Sequence, residues 1–128
     1  MRSGERGQRG FTLIELLVTL AILGLLVTVA APRYFGNLDR AKEDVLREDL
    51  YVMRDAIDKF YSDHNRYPDD LVELVTARYL RKLPVDPFTQ SAKTWVPVAP
   101  DDAAQGVVAD VHSGANNAAR DGSWLREW

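Results

Sequence analysis

The chain has 128 residues, 46% of them apolar, with a formal net charge of −3 and no cysteine. That length suits one folded domain, and the lack of cysteine excludes disulfide staples and thiolate chemistry. An acidic balance without a basic stripe argues against nucleic acid as a partner.

The first ten residues carry Arg2, Arg6 and Arg9 against Glu5. Without them the net charge moves from −3 by the loss of +2, to −5. Phe11 to Ala31 follows as 21 residues with a single charge, Glu15. At about 1.5 Å per residue a helix of this length spans about 30 Å, the thickness of a bilayer's hydrocarbon core. The basic start predicts that the N-terminal end stays cytoplasmic and the remainder lies outside. An ordinary secretory signal is the first rival, with Val29-Ala30-Ala31 as its cleavage site. Pro32 directly after that site and the length of the run count against it. Gly24 and Pro32 are helix-breaking by type, costing about 1 and 3 kcal/mol in a helix interior. Pro32 by itself is expected to mark a modest kink at the exit from the bilayer.

Glu15 lies inside the apolar run, where an unpaired carboxylate costs several kcal/mol and is functional by default. Were the chain cut before Phe11, the new ammonium would lie about one helical turn from Glu15. Glu15 then pairs with its own N-terminus or a neighbour's; snorkelling to the interface is the plain alternative.

Past Pro32 the chain turns polar but keeps a helical period. Leu46, Leu50, Met53, Ile57 and Phe60 are spaced by four, three, four and three, which makes one apolar stripe. Ala41, Val45, Val52 and Ala56 are expected to widen it. Lys42, Glu43, Arg47, Arg54, Asp55 and Asp58 read as the solvated face. One long helix is therefore predicted from about Phe11 to about Asp63, ended at Asn65-Arg66-Tyr67-Pro68 because a proline disfavours helix at the residue before it. Asp70 to Glu73 resembles a capping box for a short helix running to about Ala77. Leu83 to Phe88, with Pro84 and Pro87, must be extended or turning. Two short strands are predicted at Thr94–Val98 and Val107–Val111, with Pro97 confining the first to a sheet edge.

The tail from Asp110 to Ser123 is rich in oxygen donors and turn formers. It reads as a loop closed by its own Asx and Ser turns, or as an irregular calcium loop. Asp121 is the first candidate ligand, followed by Asp110, Ser113 and Asn116. Trp124 and Trp128 are expected to cap the sheet or to meet another subunit. No catalytic constellation stands out, and an enzyme is not expected.

Arg9-Gly10-Phe11-Thr12-Leu13-Ile14-Glu15 resembles the class III signal of type IV prepilins and type II secretion pseudopilins, at every position of the pattern. The resemblance implies cleavage between Gly10 and Phe11 by a prepilin peptidase and N-methylation of Phe11. It also implies that Glu15 of one subunit meets the N-terminal amine of the next and sets the filament register, and that the segment leading to Pro32, a proline recurrent in the family, can unwind when subunits pack. The Leu83-Pro84-Val85-Asp86-Pro87-Phe88 segment and Ser113-Gly114-Ala115 are similar to parts of the major pseudopilins of type II secretion, though the first match fades after Phe88. Those pseudopilins bind calcium in the loop that corresponds to the second.

The implied fold is α+β and type IV pilin-like: a long N-terminal helix with a small antiparallel sheet and a C-terminal loop packed on its second half. The implied organisation is a leader at 1–10, a transmembrane or filament-core helix at 11–32 and a periplasmic globular domain at 33–128. The chain would be anchored in the inner membrane by a single pass. It would polymerise as a homopolymer through its N-terminal helix, alongside minor pseudopilins and an inner-membrane assembly platform. That filament would drive secreted protein substrates across the outer membrane. A type IV pilus pilin, or an anchored binding module that never polymerises, are the alternatives.

Overall fold

The computed structural model describes residues 10–128, so the leader expected at 1–10 lies outside the described residues except for Gly10. The chain forms two compact units, one ending at Asn37 and the other running from Leu38 to Trp128.

A single helix, α1 (Leu13–His64), is assigned across 52 residues. Its first turn is set by Thr12, whose Oγ1 accepts the Glu15 N–H at 3.2 Å. Threonine before the helix and glutamate three residues on is the sequence pattern of a helix start. Gly24 and Pro32, expected to break the helix, do not end it here. Proline removes one N–H donor, but an already nucleated helix continues past a single lost bond. Thr28, whose carbonyl loses that donor, bonds its hydroxyl to the Leu25 carbonyl at 2.6 Å.

In the second unit the predicted stripe is the core. Leu46, Leu50, Met53, Ala56, Ile57 and Phe60 are all buried, against Leu71, Leu74, Leu80, Trp95, Val108, Val111 and Leu125. Each large side chain so placed contributes about 1.5–3 kcal/mol. Val45 and Val52 do not widen the stripe: they are 48% and 39% exposed. They fall off the arc of the helix that the core covers. Ala41 is likewise exposed.

The helix stops one residue later than predicted, at His64, because Asn65 adopts a left-handed φ of 55° while its N–H still bonds Tyr61. Asparagine tolerates this cap conformation. The chain then runs beside residues 105–108, with the Tyr67 N–H bonded to Gln105 and the Val108 N–H to Pro68. Gly106 makes that approach possible, with φ at +124° and an added Cβ only 2.4 Å from the Tyr67 oxygen.

The short helix α2 (Leu71–Thr76) is capped by Asp70, whose side chain accepts from the Val72 N–H. Glu73 reaches back to the Asp69 N–H at 2.7 Å, one residue before the cap, so the capping box is shifted by one position. The strands are shorter than predicted: β1 (Val96–Val98) pairs antiparallel with β2 (Asp110–His112), placing Pro97 opposite Val111. Pro97 is exposed while Val111 is fully buried. In a two-stranded sheet Pro97 can turn the side lacking a donor outward. The fold is α+β, as the pilin-like resemblance implies.

Candidate functional site

The first candidate site is the exposed start of α1. Phe11 is 89% exposed, and Leu13, Ile14, Leu16, Leu17, Val18 and Leu20 are all more than half exposed. The most apolar 18-residue window of this helix has a mean hydropathy of 2.6, and none of it is buried among the described residues. It is long and apolar enough to cross a membrane. A surface of this size has no reason to face water and marks an interaction with lipid or protein. Phe11, Ile14, Glu15, Val18 and Thr19 line a shallow groove on it. Glu15 is thus the one acid in an otherwise apolar or hydroxyl-bearing groove, in the first turn of the helix, where the helix dipole favours an anion. Gly10 and Phe11 precede the helix in irregular, exposed backbone.

The second candidate is the loop from Asp110 to Trp128. Three of the four residues named for calcium are engaged in other bonds. Asp110 pairs with Arg54 at 2.8 Å. Ser113 is fully buried, donates its hydroxyl to Asp86 and accepts the Ala115 N–H at 3.1 Å. Asp121 is exposed, and its Oδ1 accepts the Ser123 N–H at 2.9 Å and hydroxyl at 2.6 Å. Those bonds hold the Asp121 carboxyl below the usual carboxylate range. Asn116 is exposed on the rim of a groove with Val96, His112 and Arg126. Among the described residues no group of three or more acidic or histidine side chains is gathered for a metal. Calcium needs about six to eight oxygens around one point, and a guanidinium already holds the Asp110 carboxylate. This arrangement does not fit the ion.

Three side chains that organise the loop were not among the sequence candidates. Glu43, read as solvated, is only 8% exposed and accepts the Arg120 N–H at 2.7 Å. Arg54, read the same way, bonds Asp110 and the backbone oxygens of Val111 and Trp128. Asp86 is fully buried; its Oδ1 accepts the Phe88 and Thr89 N–H groups at 2.8 and 3.3 Å, and its Oδ2 accepts from Ser113. Helical spacing carries part of the missed signal: Glu43, Leu46 and Leu50 follow intervals of three and four, the same intervals that define the stripe. Trp128 packs on the core as expected, whereas Trp124 stays 44% exposed. Gly114 lets the loop pass Thr94, since an added Cβ would sit 2.1 Å from the Thr94 oxygen.

Residues 6–31 match the family described as the prokaryotic N-terminal methylation motif. The chain is similar to the type II secretion system core protein G of Aeromonas hydrophila, 34% identical over 100 residues, covering 66% of this chain and 70% of that protein. The protein of the same name from Pectobacterium carotovorum subsp. carotovorum is 36% identical over 103 residues, 68% of this chain and 65% of that one. That from Escherichia coli (strain K12) is 31% identical over 104 residues, 69% and 71%. No solved structure matches the chain. With the methylation motif in place and 70% of a 34%-identical relative covered, this chain belongs to the type II secretion system core protein G family.

Proposed function

We propose that the chain is a structural subunit of the type II secretion pseudopilus, polymerising through the N-terminal part of α1 to drive protein export across the outer membrane. The observation that carries this is the apolar surface from Phe11 to Ala31, which finds no cover among the described residues. Lipid covers it before assembly and neighbouring copies of the same helix cover it afterwards.

The steps follow from the residues. The cut falls between Gly10 and Phe11, both exposed and outside the helix. It creates an ammonium at Phe11, which is then methylated. In the precursor the Phe11 nitrogen is an amide and offers Glu15 no opposite charge. After processing, the amine of an incoming subunit meets Glu15 of its neighbour in low dielectric, where an ion pair is strong and one left unmade is costly. Packing of apolar side chains supplies little direction, so this pair sets the axial register. Segment 11–32 is then the membrane and filament-core part, and 33–128 the periplasmic part. The subunit sits in the inner membrane by a single pass until it is extracted. Its partners are a prepilin peptidase, minor pseudopilins, the inner-membrane platform and the secreted proteins. Its role is mechanical rather than catalytic.

Replacing Glu15 by valine tests this reading. Processing, read by N-terminal sequencing that begins at N-methyl-Phe11, and membrane insertion are expected to persist while filament yield falls to background. Normal filaments from that variant would remove the register role, and a mature chain beginning at Met1 or Pro32 would remove the whole scheme.

A further inference from the structure

We infer that Arg54 is the cation that closes the C-terminal loop of this chain, and that the loop holds its shape without a divalent metal. This concerns the second unit alone and is independent of how the first one polymerises.

Arg54 projects from α1 with its side chain about one-third exposed. Its Nε donates to Asp110 Oδ1 at 2.8 Å, and its Nη2 donates to the Val111 carbonyl at 3.0 Å and to the Trp128 main-chain oxygen at 2.5 Å. A side-chain carboxylate and two main-chain oxygens are the oxygen types that calcium would otherwise gather. Here a planar guanidinium collects them, with donors fixed in a fork. The acceptors come from the start of β2 and from residue 128, so one side chain joins both ends of the loop to the helix.

The neighbours strengthen this clamp. Arg47, two helical turns earlier, lies 4.3 Å from the centroid of the Trp128 ring, within cation–π range. The Trp128 indole N–H donates to Ser123 Oγ at 2.8 Å, and that hydroxyl donates to Asp121 Oδ1 at 2.6 Å. Asp121 is therefore tied into the same network through Ser123. His112 Nδ1 lies 3.0 Å from the Trp128 main-chain oxygen. Glu43 fixes the middle of the loop at Arg120, and Ser113 fixes its start to buried Asp86. A divalent ion at Asp110 would have to displace the guanidinium or sit beside it, against like-charge repulsion.

The test uses the full mature chain in detergent micelles, melted by intrinsic fluorescence. All three tryptophans, Trp95, Trp124 and Trp128, lie in the second unit, so the signal reports that unit. The wild-type melting temperature is expected to be the same with EDTA and with millimolar calcium. Arg54→Met is expected to lower it by roughly 5–10 °C, from the loss of three charge-assisted bonds. Arg54→Lys, a point charge without the fork, should fall between the two. Asp110→Asn keeps an oxygen acceptor for Nε and should cost less than Arg54→Met. A fall in the wild-type melt with EDTA, reversed by calcium but not magnesium, would assign the closure to a metal and overturn the inference. An unchanged melt for Arg54→Met would overturn it independently. The chelation arm needs no variant, so it decides even if Arg54→Met does not fold.

Discussion

Within α1, leucine meets two different fates. Leu16, Leu17, Leu20 and Leu23 are 51–58% exposed, whereas Leu46 and Leu50 are 0% and 2% exposed. The residue type and the helix are the same; the surroundings are not. From Leu46 onward, apolar residues recur on one arc and polar ones fill the rest, so a folded domain can cover the arc. From Phe11 to Ala31 apolar residues occupy the whole circumference, and no single layer of the same chain could cover them. Amphipathicity commits a helix segment to its own domain, and uniform apolarity commits it to lipid or to other chains.

The sharpest way to break this comparison is one truncation made in both halves. Leu46→Ala is expected to destabilise the second unit by about 2–5 kcal/mol, since it opens a cavity in a closed core. Leu17→Ala should leave the tryptophan-detected melt within about 0.5 kcal/mol and act only on assembly. A lowered melt for Leu17→Ala would mean that the two halves do not differ as argued. Next in size is Gly114→Ala, where the new methyl would meet the Thr94 oxygen at 2.1 Å. A cost of about 1–3 kcal/mol is expected in chemical denaturation, as for other overpacked sites. A neutral result would show that the loop has room to move.

Two charge effects confined to the second unit are smaller. The Arg66 guanidinium beside Glu73, helped by the Asp69 N–H, holds the Glu73 carboxyl below its ordinary value of 4.5. A depressed folded-state value means the stabilisation is present above the unfolded value and lost as pH falls through the folded one. Glu73→Gln should therefore cost up to about 1 kcal/mol at neutral pH, given the screening at a solvent-facing pair. Its melting curve should converge on the wild type as pH drops below 4.5; a constant gap down to strong acid would refute the ion-pair origin. Asp49 shows the opposite sign. Burial, then the charges of Asp86 and Glu48, push its carboxyl up. A raised folded-state value disfavours the ionised form, so stability is lost as pH rises through it. Asp49→Asn should raise the melting temperature at neutral pH by the equivalent of a few tenths of a kcal/mol and change nothing in acid. A lower melt at neutral pH would point to a bond that the carboxylate makes.

Much of the architecture was legible because it depends on local period and punctuation. The stripe from Leu46 to Phe60, the stop before Pro68, the short helix after Asp70 and the edge position of Pro97 each rest on interactions within a few residues. The strand limits were not: β1 and β2 are each only three residues long. Their ends are set by which backbone groups find partners across the sheet. Glu43 and Arg54 were misread for a related reason. A charged residue at the margin of an apolar stripe is solvated or buried according to what the chain lays over it, here Arg120 for Glu43 and Asp110, Val111 and Trp128 for Arg54, all far along the sequence.

The sequence by itself determined the exposed apolar helix with its single acid, because hydropathy and charge act at the scale of one turn. It also determined the spine of the core, for the same reason. Only the tertiary structure decided how the C-terminal loop is held. That choice depends on oxygens from Asp110, Val111 and Trp128 converging on one guanidinium. A composition rich in oxygen ligands suits either a metal or an arginine, and the packing of the loop on α1 brings Arg54 to them.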